Sequence, residues 1–492
     1  MNRVQQLWSA AETASAQKHW EVAAARYESI IAIEPGHVPA LLKASSAHLR
    51  HDHYRRAHER LFSALAHSNG HPGLVLELAR RLRQFHEAQA LLEMLNASSF
   101  ARCDDPAMLT EMSLLVSSLG DQVTALTLVD RALKYKPDFA QALYLRGTLH
   151  MFLGDMDRAE ADLEQCIRLE PLFPQAHWVL SSVKTWTPEH NHVARLRKII
   201  GRGASDPAGQ SYLYFALHNE LHGLERFDES WDALEQGCRA KRRIEAYDDR
   251  KTADLFAGIE ALCTPGFIAD QRPIESAGYT PIFILGMHRS GTTLLERILG
   301  GHSAVSDGGE TYAFTAQIKL ATDHKCLNVV DMSSLERLAG ADFGAMGEGF
   351  LRNSRWRAKG KPFLTEKLPP NFIVAGFIAK ALPNARILHM VRDPVDTCFS
   401  NLRTFFTNAA SYSYDQTDMA RYYARYRGLM AHWRHAMPGR ILDISYDALV
   451  QDTEATTRGI FEFCGLPFEA DALAVERNRG AVSTASSAHV RQ

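Results

Sequence analysis

A 34-residue period constrains this 492-residue chain more than any single motif does. Pro35, Pro137 and Pro171 close the helical runs IIAIEP, ALKYKP and CIRLEP; the last two stand 34 residues apart, the first two three periods. Gly120 and Gly154 repeat the interval, as do Ala125 and Ala159. Each period reads as a helical hairpin: glycine permits the turn, alanine a close crossing, and proline forbids continuation of the second helix. Such units cannot bury their apolar faces alone and therefore stack. Trp20, Tyr54, Phe85 and Met156 each precede an alanine by three, and the 31-residue step from Tyr54 to Phe85 predicts an irregular third unit with a longer loop near residues 96–106.

Residues 212–243 read as one more hairpin, with Phe227 and Trp231 inward, after a break that carries Gly201, Gly203 and Pro207. The expected division is a repeat array over 1–188, a helical hairpin and linker over 189–275, and a chemical domain over 276–492. The formal net charge of -2 gives no global attraction to nucleic acid or anionic membrane, so an anion site has to be local. Seven scattered cysteines, none in a C-x-x-C pair, describe neither a disulfide framework nor a zinc cluster. No signal-type leader and no apolar run long enough to span a bilayer is visible, which points to a cytoplasmic protein.

From Pro281 the pattern changes to a strand, PIFILG, then a tight turn, MHRSGTT, then a helix, LLERILGGH. A helix that opens on such a turn aims its free N–H groups and positive dipole end at one point, which suits phosphate or sulfate. The spacing Gly286-x-x-x-x-Gly291 matches a nucleotide-binding P-loop, but Thr292 stands where lysine is required. A triphosphate site thereby loses its main cation. Arg289, Ser290, Gly291, Thr292 and Thr293 suit instead a single phosphate that bears a transferable group, with no metal expected.

Four ordered segments resemble the sulfotransferases that use 3′-phosphoadenosine 5′-phosphosulfate (PAPS), in particular their tyrosylprotein sulfotransferase-like branch: HRSGTT, GGET at 308–311, TEKLPPNF at 365–372, and RILHMVRDPVDTCFSNLRTFF. The repeats resemble tetratricopeptide units. The resemblance implies a tetratricopeptide-type α-helical solenoid followed by an α/β P-loop-like three-layer domain with a parallel sheet, its strands at Phe283 and Leu388 central. It implies transfer of a sulfuryl group from PAPS to an acceptor hydroxyl, with adenosine 3′,5′-bisphosphate as product and a protein tyrosine, a glycan or a small alcohol as acceptor. The repeats would make protein–protein contacts, and their array would pack on the domain through the 212–243 hairpin.

Sulfuryl transfer needs a base for the acceptor hydroxyl, cations at the bridging oxygen and a clamp on the nucleotide. Glu310, after Gly308 and Gly309, is the candidate base, and its 21-residue distance from Arg289 equals the family spacing. His288 is a rival base, because related cytosolic enzymes use histidine; His302 also flanks the loop. Lys367 and Arg289 are the candidate cations, Lys367 steadied by Pro369 and Pro370. Arg392 emerges at the carboxyl end of a buried strand, where ligands of open α/β sheets bind; the resemblance pairs it with Ser400 on the 3′-phosphate. By resemblance also, Tyr446 contacts nucleotide and Ser486 lies near the reaction centre. The family's usual continuation beyond V-R-Q, a tryptophan-bearing helix and a further lysine, is expected to be missing after Gln492. The competing readings are a non-catalytic adaptor whose transferase domain has decayed, and a P-loop kinase, which would demand the absent lysine and a magnesium-binding aspartate.

Overall fold

The computed structural model describes residues 2–474 other than 69, 98, 204, 205, 276, 277 and 408. The leading helices of the second to sixth units begin at Val38, Pro72, Pro106, Ala140 and Pro174, an unbroken 34-residue step. The third unit therefore keeps register, contrary to the expected irregularity. Its second helix starts at Ala88, the counterpart of Tyr54, whereas Phe85 only caps the helix before it. The longer connection is present: that second helix stops at Ala97 and a 3-10 turn, Ser99–Arg102, leads on to Pro106. A shorter helix compensates the longer loop.

Within each unit the turn passes through a left-handed residue: Lys18, Asp52, His86, Gly120 and Gly154, with φ of 61°, 61°, 62°, 93° and 87°. Glycine is thus one solution among several at this place. Lysine, aspartate and histidine accept the strain there, and a side chain is left projecting from the turn. The helices cross closely at Ser45, Ser113 and Gly147, also spaced in multiples of 34; Ser45 and Ser113 donate their hydroxyls to the carbonyls of Ala57 and Ala125 at 2.7 Å. A cavity of about 960 Å³ opens between Trp8, Leu42 and Leu74 of the first three units.

The hairpin formed by Pro207–Gly223 and Phe227–Arg242 buries Ser230, Ala233, Leu234 and Cys238, while Phe227 is 57% and Trp231 37% exposed. The expected inward aromatic pair is therefore wrong. The helices cross at Gly237, where a Cβ would lie 2.8 Å from the Phe215 ring, and that contact turns the face carrying residues 227 and 231 outward.

Five parallel strands follow: β1 Thr280–Gly286, β2 Val305–Ser306, β3 Phe363–Lys367, β4 Arg386–Val391 and β5 Ile441–Ser445, in the order β2-β3-β1-β4-β5. Phe283 lies on the central strand and Leu388 on its neighbour. Residues of β1 alternate between two cores: Phe283 and Leu285 join Phe314, Phe350 and Phe372 on one face, and Ile282 and Ile284 join Leu295, Ile298 and Phe461 on the other. Both faces are covered by helices, as a parallel sheet requires.

The array meets this domain at two places. Phe215, Leu234 and Cys238 of the 207–242 hairpin enter the sheet's larger core, where Phe215 packs edge-on to Phe405 at 5.2 Å. The second contact runs along the unit turns. Asp52 accepts from His324 Nδ1 at 2.7 Å, Lys325 N at 2.9 Å and Arg337 Nη2 at 3.1 Å. One unit on, His86 stacks on Tyr312 with ring centroids 5.3 Å apart; another unit on, the Leu119 carbonyl accepts from Arg357 Nη2 at 2.8 Å. No described helix is long and apolar enough to cross a membrane.

Candidate active site

The turn between β1 and the helix Thr292–Gly300 is shaped by its backbone. Gly286, Arg289 and Gly291 hold φ of 150°, 66° and 102°. A Cβ on Gly286 would lie 2.7 Å from the Met390 carbonyl oxygen, and one on Gly291 only 2.4 Å from the Tyr446 ring. Neither position accepts a side chain. Gly291 caps the helix without any side-chain acceptor, so the first N–H groups, at Thr292 and Thr293, have no capping partner from a side chain. Ser290 Oγ is buried with no hydrogen-bond partner among the described residues.

A second segment folds against this loop. After β4, Arg392 reaches back to the Arg289 carbonyl at 3.4 Å and to Asp396 at 3.2 Å, and its guanidinium lies 4.8 Å from the Tyr446 ring centre. The helix Pro394–Leu402 then brings Ser400 Oγ within 3.1 Å of Arg289 Nε, across 111 residues of sequence, and Asn401 donates to the His288 carbonyl at 2.6 Å. Arg289, Ser400, Arg392 and Tyr446 thus share one place. Burial lowers the Arg289 guanidinium to about 10, and the charges of Arg392 and Arg403 push in the same direction. It remains charged at neutral pH. Two clustered guanidinium groups, Arg289 and Arg392, an uncapped helix start and a partnerless serine hydroxyl form a site that an anion with more than one charged group would relieve.

Beside it lies the carboxylate-bearing turn. Glu310 is exposed and forms an ion pair with Lys367, whose side chain is wholly buried at the end of β3. Gly308 has no room for a Cβ, which would stand 2.1 Å from the Thr365 carbonyl oxygen, and Gly309 takes φ 72°. Lys367 N donates to the Gly309 carbonyl at 3.1 Å, so the residue that pairs with Glu310 also supports its turn. The 3-10 turn Pro369–Val374 follows, as the two prolines lead one to expect.

His288 donates to or accepts from Tyr412 Oη at 2.8 Å and packs on Phe406; burial lowers its imidazole to about 4, leaving it neutral. His302 is buried, 2.9 Å from the Pro467 carbonyl. Both are held by the fold. Ser486 lies outside the described residues.

Two buried acids escaped the reading of the sequence. Glu296, one turn into the loop helix, and Glu366, beside Lys367, are raised by burial to about 7 each. Glu366 is bonded by Asn371 Nδ2 at 3.3 Å and by the Thr311 hydroxyl. In LLERILGG a glutamate reads as solvated; only the strand TEKLPP, an acid inside an apolar run, carried a signal. His86 was hidden by distance, since nothing local marks a repeat turn as a neighbour of Tyr312.

Residues 281–470 match the Sulfotransferase family model, and residues 140–171 match a tetratricopeptide repeat model. An uncharacterized protein of Aquifex aeolicus (strain VF5) is 26% identical over 349 residues, 69% of this chain and 45% of that one. The protein-tyrosine sulfotransferase of Drosophila melanogaster is 25% identical over 203 residues, 38% of each chain. The chain thus spans less than half the length of these curated relatives. A crystallised sulfotransferase from Mycobacterium avium is 18% identical and covers 58% of this chain and 86% of its own, with a TM-score of 0.31. Residues 281–470 form a domain of the sulfotransferase family, carried on one chain with tetratricopeptide repeats.

Proposed function

We propose that this chain transfers a sulfuryl group from PAPS to an acceptor hydroxyl. The observation that carries the reading is the 3.1 Å contact between Arg289 of the anion loop and Ser400 of the second basic segment, which brings two motifs 111 residues apart into one cluster. The residues present fit the donor: Ser290, Gly291, Thr292 and Thr293 with Arg289 for the phosphosulfate end, Arg392 and Ser400 for the 3′-phosphate, and Tyr446 beside Arg392. When bound, PAPS supplies the sulfuryl group, which passes to the acceptor oxygen as the bond to the 5′-phosphate breaks, and adenosine 3′,5′-bisphosphate leaves.

Glu310 takes the acceptor's proton. Lys367, buried beside it and paired with it, offers its N–H groups to the departing oxygen. Arg289, on the loop, would bind the phosphosulfate end of the donor. Protein tyrosine is among the acceptors, on the likeness to the Drosophila enzyme, together with glycans and small alcohols whose hydroxyl the same base would serve.

Calorimetry with adenosine 3′,5′-bisphosphate tests the reading. Tight binding that needs no magnesium and weakens at least tenfold in Arg392→Ala supports it, in line with the worth of a charge-assisted contact of about 1.5–3 kcal/mol. Absence of binding by the unaltered chain would refute it. Transfer of labelled sulfate to tyrosine peptides, glycans and phenols then identifies the acceptor, and Glu310→Gln should lose that transfer by about 100-fold or more while binding nucleotide normally.

A further inference from the structure

The turn that carries Glu310 is tied to the anion loop by a side chain to which nothing so far assigns a task. Glu296 lies four residues after Thr292 on the helix that opens at Gly291, and it points away from solvent. Its Oε1 accepts two hydrogen bonds: from Gly309 N at 3.0 Å, and from Thr365 Oγ1 at 3.1 Å. The same threonine hydroxyl accepts from Gly308 N at 3.1 Å. Both glycine amides before Glu310 therefore end, directly or through Thr365, on one carboxyl oxygen. Gly309 has no side chain within reach of its Cβ position and sits at positive φ, so these bonds, with Lys367 N on its carbonyl, are what hold it.

We propose that Glu296 is a positioning residue: it fixes the distance between the anion loop and the Glu310 carboxylate by fastening the base's turn to the loop's own helix. This rests on the function proposed above. The physical reason is rigidity. A helix of nine residues with a buried face moves as one body, so one turn of helix and one hydrogen bond separate Thr292 from Gly309. A turn rich in glycine has little stiffness of its own, and a base displaced by about 1 Å can lose on the order of 100-fold in rate. A glutamate is not required by charge. What the geometry uses is a carbonyl-type oxygen at that spot, which the amide of glutamine also offers.

The test compares Glu296→Gln, Glu296→Ala, Thr365→Ser and Thr365→Val in the full chain. Each is assayed by consumption of labelled PAPS with a tyrosine peptide or 4-nitrophenol as probe, by calorimetry with adenosine 3′,5′-bisphosphate, and by amide hydrogen exchange of the peptide that contains Gly309. Glu296→Gln and Thr365→Ser should keep kcat within about threefold of the parent. Glu296→Ala and Thr365→Val should lower kcat by about 10- to 100-fold with bisphosphate affinity and the KM for PAPS within twofold, and Gly309 should exchange at least ten times faster. Unchanged exchange in both Glu296→Ala and Thr365→Val overturns the proposal whether or not either probe is sulfated. Equal losses of bisphosphate affinity and kcat also overturn it, because Glu296 would then be acting through the anion loop. If the unaltered chain binds no bisphosphate, the sulfotransferase reading fails, while the exchange result still decides whether Glu296 holds the turn. If Glu296→Ala does not fold, the contrast between Thr365→Ser and Thr365→Val gives the same decision.

Discussion

Glu296 illustrates how one buried side chain sets the behaviour of a site at the scale of residues. Burial raises its carboxyl from the ordinary 4.5 to about 7, against the pull of Lys367. A carboxyl whose folded value lies above its unfolded one keeps its proton while the unfolded chain releases it. Stability therefore falls as pH rises from about 4.5 to about 7, by up to 3 kcal/mol on the order of the shift. Glu296→Gln removes this dependence: denaturant unfolding between pH 4.5 and 7.5 should show a flatter decline than in the parent. A decline of unchanged steepness in the variant would mean that Glu296 is ionised throughout. Glu366, raised to the same value by burial, contributes to the slope in the same window.

Elements placed these residues. The strand–turn–helix at 280–300 was legible because PIFILG is a continuous apolar run and Gly286 and Gly291 stand where such a turn demands glycine. Gly291 is the sharpest instance: φ of 102° and a Tyr446 ring 2.4 Å from the absent Cβ exclude every other residue. Gly291→Ala should therefore cost about 2–4 kcal/mol by chemical denaturation and remove bisphosphate binding as the ring and loop part. Retention of parental affinity would show that the loop tolerates the shift. The helical hairpin at 207–242 was less legible. Its aromatic residues Phe227 and Trp231 suggested a core face, but the crossing at Gly237 decided which side turned inward. Likewise Phe85 mimicked a repeat position three residues early, because apolar residues fill the end of one helix as readily as the start of the next.

The molecule as a whole joins its two parts through repeat turns. Asp52, His86 and Leu119, successive along the array, meet His324, Tyr312 and Arg357, and the helix Ala313–Thr322 that begins beside Glu310 is held at both ends. Burial opposes the protonation of His324, but the hydrogen bonds of Asp52 and Asp331 prevail and raise it. Burial likewise opposes ionisation of Asp52, yet Lys325 N, His324 and Arg337 lower it. The latch is therefore complete above the carboxylate range and below the histidine's folded value. Its contribution from His324 is present below about 6.5 and is lost as pH rises through the raised value. Asp52→Ala leaves three donors without an acceptor; with Asp52 partly exposed, a loss of about 1 kcal/mol in unfolding free energy at pH 6 is expected, shrinking toward pH 9. A loss independent of pH would remove His324 from the account.

Periodicity and local chemistry were written in the chain: a repeat of 34 residues dictates stacked hairpins, and glycines at 286 and 291 dictate a tight turn before a helix. The ordered motifs, through their resemblance to the family, also put forward Arg289, Glu310, Lys367 and Arg392 as candidates. What the linear order could not show is which distant groups share a place. The 3.1 Å approach of Arg289 to Ser400, the burial that turns Glu296 from a surface acid into a brace, and the stacking of His86 on Tyr312 all arise from packing across 13 to 226 residues of sequence. Long-range contacts of this kind depend on how helices cross and sheets are covered, and only the assembled fold supplies the low dielectric and the neighbours that give those side chains their character.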